Sequence, residues 1–167
     1  MHKIQRLFST VSLALVLLAL ASFSAAASEI VPGQGLNGIT LGAAQDAVKV
    51  HLGAPDKNDV IAGDETWTYF LCDGDVALGV QWNSQRKVES INLLTLRPGD
   101  RVQQWAKTSN TATSKGITLG TPVEEVVSKM GRPLQKVERG NSTFLGYPGL
   151  LVHVIDGKVF GMRILRK

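Results

Sequence analysis

The sequence predicts an α+β fold of two tandem repeats, each a helix followed by a three- to four-stranded antiparallel meander, with the helices on one side of the sheet. The segment Gly-Ile-Thr-Leu-Gly at residues 38–42 recurs unchanged at residues 116–120, 78 positions later. Gly-x-Pro at 53–55 recurs at 131–133 with the same separation, as does a tyrosine. Several matches in one register favour a duplicated structural unit.

The N-terminal segment up to Ala27 is predicted to be a cleaved signal peptide. Lys3 and Arg6 precede an apolar stretch at 11–21, and small residues then lead to a cleavage site between Ala27 and Ser28. A membrane anchor is the alternative, but this stretch is shorter than the roughly 20 residues that cross a bilayer. No cysteine follows the cleavage site to receive a lipid. The mature chain is therefore expected to be periplasmic or secreted, with no stable membrane anchor.

The predicted organisation of the mature chain is a first repeat at 28–96, a linker at 97–115 and a second repeat at 116–167. Charge divides unevenly along it. Residues 29–95 contain nine acidic and four basic side chains, whereas residues 96–167 contain five acidic and twelve basic ones. The basic part could dock an anionic envelope component, but we favour mutual attraction of the two parts, since no long run of like charge occurs. Nucleic acid is not an expected partner, because basic and aromatic residues are not interleaved.

Helix boundaries are predicted from capping residues. In the second repeat Thr121 can cap through its hydroxyl, Pro122 suits the first helical position and Glu124 can complete a capping box. Gly131 is typical of the residue that ends a helix. Residues 43–53 follow the same plan without a hydroxyl cap, so the first helix is expected to depend more on packing.

Antiparallel strands are predicted after each helix, because alternating apolar runs there are separated by short turns such as Asp156-Gly157. In the first repeat these strands are 66–71, 76–82 and 87–95, with a short strand near 59–62. In the second repeat they are 141–147, 150–155 and 158–165, with a short strand near 135–138. Within the linker, residues 101–107 are expected to form a brief helical turn.

The sequence contains no convincing catalytic or metal-binding motif. Cys72 is the only cysteine, and neither His51 nor His153 stands at a spacing that would pair it for catalysis, so the role of a buried small apolar residue is favoured over a nucleophile or a dimer link. Asp73 and Asp75 resemble part of a calcium loop, but its downstream ligands are missing, which favours a solvated turn. His153 is more typical of a half-buried strand residue than of a metal ligand. We therefore expect no enzyme activity, no cofactor and no metal.

The motif Gly-Ile-x-Leu-Gly, a capped helix, Gly-x-Pro and a meander resembles the repeat of the small outer-membrane assembly lipoproteins of the SmpA/OmlA type. Its tandem form is similar to β-lactamase inhibitory protein. The resemblance extends from about Leu36 through nearly all of the mature chain. It implies one continuous concave sheet with the helices on one side. No contact residue is transferred from either family.

Strand alternation predicts a binding surface on the open sheet face, because both faces of the second repeat are apolar. Packing between the two repeats is the alternative use of that face. The residues predicted to contact a partner are Phe70, Tyr147, Leu151, His153 and Phe160, with Arg163 and Arg166 at the rim. The expected function is that of an exported, non-enzymatic module that binds another envelope or secreted protein. The alternative is an assembly or scaffold factor for outer-membrane or cell-wall components.

Overall fold

The structure is a computed structural model, and it describes residues 29–61, 63–109 and 111–167. The predicted signal peptide and its cleavage site between Ala27 and Ser28 lie outside these residues. The helices are α1 (Gln45–Leu52), α2 (Asp100–Thr108) and α3 (Val123–Met130). The strands are β1 (Glu29–Val31), β2 (Gly35–Leu36), β3 (Ile39–Thr40), β4 (Lys57–Ile61), β5 (Asp64–Leu71), β6 (Val76–Trp82), β7 (Val88–Thr95), β8 (Ala112–Thr113), β9 (Gln135–Arg139), β10 (Ser142–Tyr147), β11 (Leu150–Ile155) and β12 (Lys158–Ile164).

The predicted fold class, an α+β fold of two helix-plus-meander repeats, is wrong. The described part of the chain is mostly β, with 12 strands in two sheets and three short helices. The physical reason lies in the helices predicted from sequence. Each of α1 and α3 has only eight residues and buries a single side chain fully, Val48 and Val126 respectively. Two such helices cannot cover a large sheet, so further elements are needed.

The large sheet has eight strands in the order β4-β5-β6-β7-β12-β11-β10-β9. Every neighbouring pair in it is antiparallel. The two central strands pair through Ile91↔Ile164, Asn92↔Arg163, Leu93↔Met162 and Leu94↔Gly161. This central pairing makes one continuous sheet out of two groups of four strands.

The small sheet has four strands of two or three residues each, in the order β3-β2-β1-β8. Ile30 pairs with Leu36 in the antiparallel neighbour and with Thr113 in the parallel one. Its turn is tied to the large sheet, since the amide of Gly33 donates to the carbonyl of Gly149 at 2.9 Å. Sequence analysis missed this sheet because strands this short show no alternation.

One face of the large sheet forms the hydrophobic core. Along each central strand every second side chain is buried, and these side chains form one cluster with residues of the small sheet and the three helices. From the large sheet the cluster takes Trp67, Tyr69, Val76, Leu78, Val80, Trp82, Val88, Ile91, Leu93, Leu145, Tyr147, Leu150, Val152, Val154, Val159, Met162 and Ile164. The cover is completed by one residue from each helix, by the small sheet and by the segment before α3: Val48, Val102, Val126, Ile30, Leu36, Ile39, Ile117 and Leu119.

The predicted hydroxyl cap of α3 is wrong. Pro122 occupies the N-cap position, and α3 has no side-chain capping hydrogen bond. Thr121 instead uses its Oγ1 to accept the amide of Thr118 at 3.0 Å, which stabilises the turn before the helix. Gly131 does follow the helix, with a φ of 84° in the left-handed region. The predicted strand positions agree with the observed bounds to within about two residues.

Gly149 offers a test of how the small sheet is held against the large one. Gly149 and Gly157 both lie in hairpin turns, with φ of 75° and 74°. A Cβ at Gly149 would collide with the backbone of Gly33, whereas a Cβ at Gly157 would meet no atom within 4 Å. Gly157→Ala is therefore expected to lower the free energy of unfolding by about 1 to 2 kcal/mol. Gly149→Ala is expected to cost about 2 kcal/mol more, because backbone must move.

Urea unfolding of the two variants measures this difference. Equal losses in both would show that the turn of the small sheet does not need close contact with Gly149.

Candidate binding face of the large sheet

The candidate site is the face of the large sheet that is turned away from the core, which we call the open face. Its residues alternate with the core residues and pair across strands, as Phe144 does with His153 and Leu151 with Arg163. Most of these side chains are half-buried or exposed. The helices and the small sheet pack on the opposite face, so within the described residues no element covers this one.

An aromatic cluster lies at one side of the open face, on β10, β11 and β12. The ring of His153 stacks on Phe144 with ring centres 4.3 Å apart and an interplanar angle of 11°. Phe160 meets the same imidazole edge-on, at 5.4 Å and 69°. A register shift in the β11–β12 pairing lies between His153 and Val154. This register shift is a β-bulge, which changes the direction of the side chains at this point of the sheet.

His153 has an unusual environment for a strand histidine. Its Nε2 atom is buried and has no hydrogen-bond partner among the described residues. Burial lowers the pKa of His153 below its ordinary value of 6.5, because a charged imidazolium would lose its hydration between two phenyl rings. The imidazole is therefore neutral near pH 7 and behaves as an aromatic side chain with one unused polar atom.

A polar network occupies the centre of the open face, beside the aromatic cluster. Arg163 donates from Nη2 to Oε1 of Gln81 at 2.7 Å and from Nε to Oγ of Ser90 at 3.2 Å. Ser90 is 1% exposed and donates to the same Gln81 oxygen at 2.9 Å. Gln81 in turn donates to Asp64 at 2.7 Å. The guanidinium of Arg163 is thus held in one orientation while its residue remains exposed.

A shallow groove of about 400 Å³ lies next to this network. It is lined by Glu89, Ser90, Leu151, Arg163, Leu165 and Arg166. Three of the residues predicted to contact a partner therefore meet in one groove: Leu151, Arg163 and Arg166. His153 lies two residues from Leu151 on the same strand and contacts Phe160, but neither residue lines the groove. Two arginines against one glutamate give the groove a basic character.

Two predicted contact residues are not part of this group. Tyr147 is 8% exposed and lies on the core face, where its hydroxyl donates to the carbonyl of Gly131 at 3.2 Å. Its prediction as an open-face residue is wrong, because the alternation on β10 places Leu145 and Tyr147 inward and Phe144 outward. Phe70 is on the open face and 38% exposed. However, β5 is four strands away from β11, about 19 Å at the usual strand spacing.

Sequence analysis missed Phe144, Ser90 and Gln81. Phe144 could have been found, since it alternates with Leu145 on a predicted strand and faces His153 in the hairpin that Asp156-Gly157 closes. Ser90 and Gln81 had no detectable pattern. Their role depends on the pairing of β7 with β12, which joins segments more than 70 residues apart.

Other residues considered from the sequence do not form a second site. Within the described residues there is no cluster of three or more histidine, cysteine or acidic side chains that could hold a metal ion. Asp73 and Asp75 form ion pairs with Arg101, and Asp75 also pairs with Arg97. These contacts tie α2 to the turn between β5 and β6. Cys72 is half-buried beside the core.

Comparison with known proteins shows similarity of fold at low sequence identity. No protein-family model and no curated protein matches the chain. A crystal structure of a DUF4309 family protein (YjgB) from Bacillus subtilis is similar with a TM-score of 0.55 and 14% identity, over 81% of this chain and 88% of that one. An extracellular protein containing an SCP domain from Bacillus anthracis is similar with a TM-score of 0.50 and 13% identity.

The second similarity covers 76% of this chain but only 44% of the Bacillus anthracis protein. At these identities both similarities concern the fold alone. Neither structure is described as a SmpA/OmlA-type lipoprotein or a β-lactamase inhibitory protein, so the resemblance inferred from the sequence stays a prediction. Across residues 29–61, 63–109 and 111–167, no helix has the length and apolar character needed to span a membrane.

The lowered pKa of His153 leads to a prediction about stability and pH. The unfolded chain binds a proton at the ordinary histidine pKa, whereas the folded protein does so only at lower pH. Stability is therefore fully present above the unfolded pKa and falls as the pH drops through 6.5 toward the folded value. His153→Phe removes the group that binds this proton and keeps an aromatic ring of similar size. We expect the variant to lose less stability than the wild type between about pH 7.5 and about pH 5.5.

Urea unfolding midpoints of the wild type and His153→Phe at the two pH values measure this difference in stability. The carboxylates are the same in both proteins, so their titration does not affect the comparison. An unchanged loss in His153→Phe would show that the imidazole is not shielded from water.

Proposed function

We propose that this protein is an exported, non-enzymatic binding module that contacts another protein through its open face. The observation that supports this best is a fixed arginine, Arg163, which lines a basic groove on the same face as a half-buried aromatic cluster. Aromatic and arginine side chains dominate the energetics of protein interfaces. An arginine already held by Gln81 and Ser90 loses little conformational freedom on binding, which favours its use as an anchor.

The partner that fits this face is a protein segment with an acidic side chain next to an apolar one. The acidic group would pair with Arg163 or Arg166, and the apolar group would cover Leu151 and Phe160. Glu89 is the only acidic residue that lines the groove within the described residues, so an acidic partner meets little repulsion. The eight strands span about 34 Å, which is wide enough for an interface of standard size.

Export is the part of the proposal that rests on the N-terminal sequence. Residues 1–27 have the basic, apolar and small-residue order of a signal peptide. The Bacillus anthracis neighbour is described as an extracellular protein, which is consistent with the same location. The proposal places the mature chain in the periplasm or outside the cell and assigns it no catalytic residue and no cofactor.

The test is capture of partners from secreted and envelope fractions of the source cells with the immobilised mature chain. We expect one stoichiometric protein to be retained by the wild type and lost with Leu151→Glu and with Arg166→Glu. Each change places negative charge in a basic groove without altering the core. Val50→Glu is the matched control, because Val50 is 87% exposed on α1, on the other side of the sheet.

Thermal melts establish that each variant is folded. Retention of the partner by both groove variants, or its loss with Val50→Glu, would overturn the proposal. Binding of an anionic envelope polymer, with no protein retained and a steep loss of binding as salt rises, would instead favour the scaffold alternative.

A further inference from the structure

We propose that a cavity between α2 and the β11–β12 hairpin is a binding site for a small, uncharged, mainly apolar molecule that carries one hydrogen-bonding oxygen. The cavity has a volume of about 370 Å³. Pockets that hold small ligands start at about 300 Å³, so the space suits a compact molecule. The cavity and the groove at Leu151, Arg163 and Arg166 have no lining residue in common, but Phe160 belongs both to the cavity wall and to the aromatic cluster of the open face.

The side chains that line the cavity favour a ligand that is mainly apolar. Pro98 and Val102 lie on the α2 side, and Ile155, Val159 and Phe160 lie on the hairpin side. Gly120 contributes backbone only, and it must stay small because a Cβ there would approach the side chain of Gln103 to 2.7 Å. These groups offer dispersion contacts and no buried charge.

The hydroxyl of Thr95 is the reason to expect one hydrogen-bonding oxygen on the ligand. Thr95 lines the cavity at the end of β7 and is 3% exposed. Its hydroxyl is buried and has no hydrogen-bond partner among the described residues. Buried hydroxyls in folded proteins are nearly always paired, and an unpaired one calls for a specific explanation. This oxygen is closed off from the cavity in its present rotamer, so binding would require the Thr95 side chain to rotate about χ1 and present its hydroxyl to a ligand oxygen, which would then be the missing partner.

The charged side chains at the opening of the cavity favour an uncharged ligand. Asp100, Asp156 and Lys158 line the cavity and are all exposed, so two carboxylates and one ammonium surround its opening. The carboxylates disfavour an anion, and no charged side chain lies deep enough to pair a cation. Burying a charge in an apolar wall without a partner is strongly unfavourable.

The first test concerns the hydroxyl itself. Thr95→Val exchanges an unpaired hydroxyl for a methyl group of the same shape, so the melting temperature should not fall. Thr113→Val is the matched control. Thr113 is also buried, but its Oγ1 accepts the amide of Ile117 at 3.1 Å, and losing that bond should lower the melting temperature. If Thr95→Val is destabilised as much as Thr113→Val, the hydroxyl is satisfied inside the protein and the proposal fails.

The second test measures binding of benzyl alcohol and of toluene to the mature chain by NMR titration of backbone amides. Benzyl alcohol should cause saturable shifts at Thr95, Gly120 and Val159. Thr95→Val should weaken benzyl alcohol about fivefold and leave toluene unchanged, because only the alcohol has an oxygen for the hydroxyl.

Gly99→Leu is a second variant that is expected to fold, since Gly99 has an extended φ of 167° and a Cβ there would meet no atom within 4 Å. A leucine at the cavity lining should weaken both probes. Absence of saturable shifts, shifts confined to Phe144 and Leu151 on the open face, or equal binding of benzyl alcohol by the wild type and Thr95→Val would each overturn the proposal.

Discussion

Four residue pairs between β7 and β12, from Ile91↔Ile164 to Leu94↔Gly161, join two groups of four strands into one sheet. The close approach depends on Gly161, where a Cβ would press against Leu94 and the backbone of Leu93. Because a strand directs successive side chains to opposite faces, this single register decides both surfaces at once. On one face it stacks Ile91 and Ile164 in the core. On the other it places Arg163 over Ser90. A slip of β12 by one residue would bury Arg163 and expose Ile164, so the core and the candidate site share one constraint.

The second constraint is that the apolar face of the large sheet must be covered, and the elements that pack on it contribute unequally. A sheet of eight strands with one apolar face needs more than two short helices above it, and α1 and α3 bury one side chain each. The small sheet and α2 supply the remainder. The ion pairs of Arg97 and Arg101 with acidic residues near β6 hold α2 in place. Each pair joins an exposed arginine to the buried Asp75, and together they show that part of the charge asymmetry is neutralised inside the fold. The basic residues of β12 and the segment after it, Arg163 and Arg166, remain on the other surface.

The parts of the fold that follow local rules could be predicted from the sequence, and the parts that follow long-range packing could not. The eight strands of the large sheet alternate clearly or end at a turn, so their positions could be predicted. The matched glycines do mark equivalent backbone contacts, since the amides of Gly42 and Gly120 donate to Val88 and Val159 at 2.8 Å. Yet such motifs say nothing about a small sheet whose strands are two or three residues long. The same limit applied to the site. Alternation on β11 placed Leu151 and His153 on one face, whereas Arg163 was expected only at its rim and Tyr147 was assigned to the open face although it lies in the core.

The edges of the large sheet bear on which surface is used for recognition. β4 and β9 are the edge strands, and an open edge can recruit another strand unless something prevents it. On β9, Lys136 and Glu138 form an ion pair at 2.6 Å, and Arg139 ends the strand. β4 begins Lys-Asn-Asp, so charge and short length protect this edge as well. Charged, five-residue edges disfavour strand addition, and the helices occupy the core face. The open face is therefore the largest surface of the sheet to which a partner can bind without displacing part of the fold.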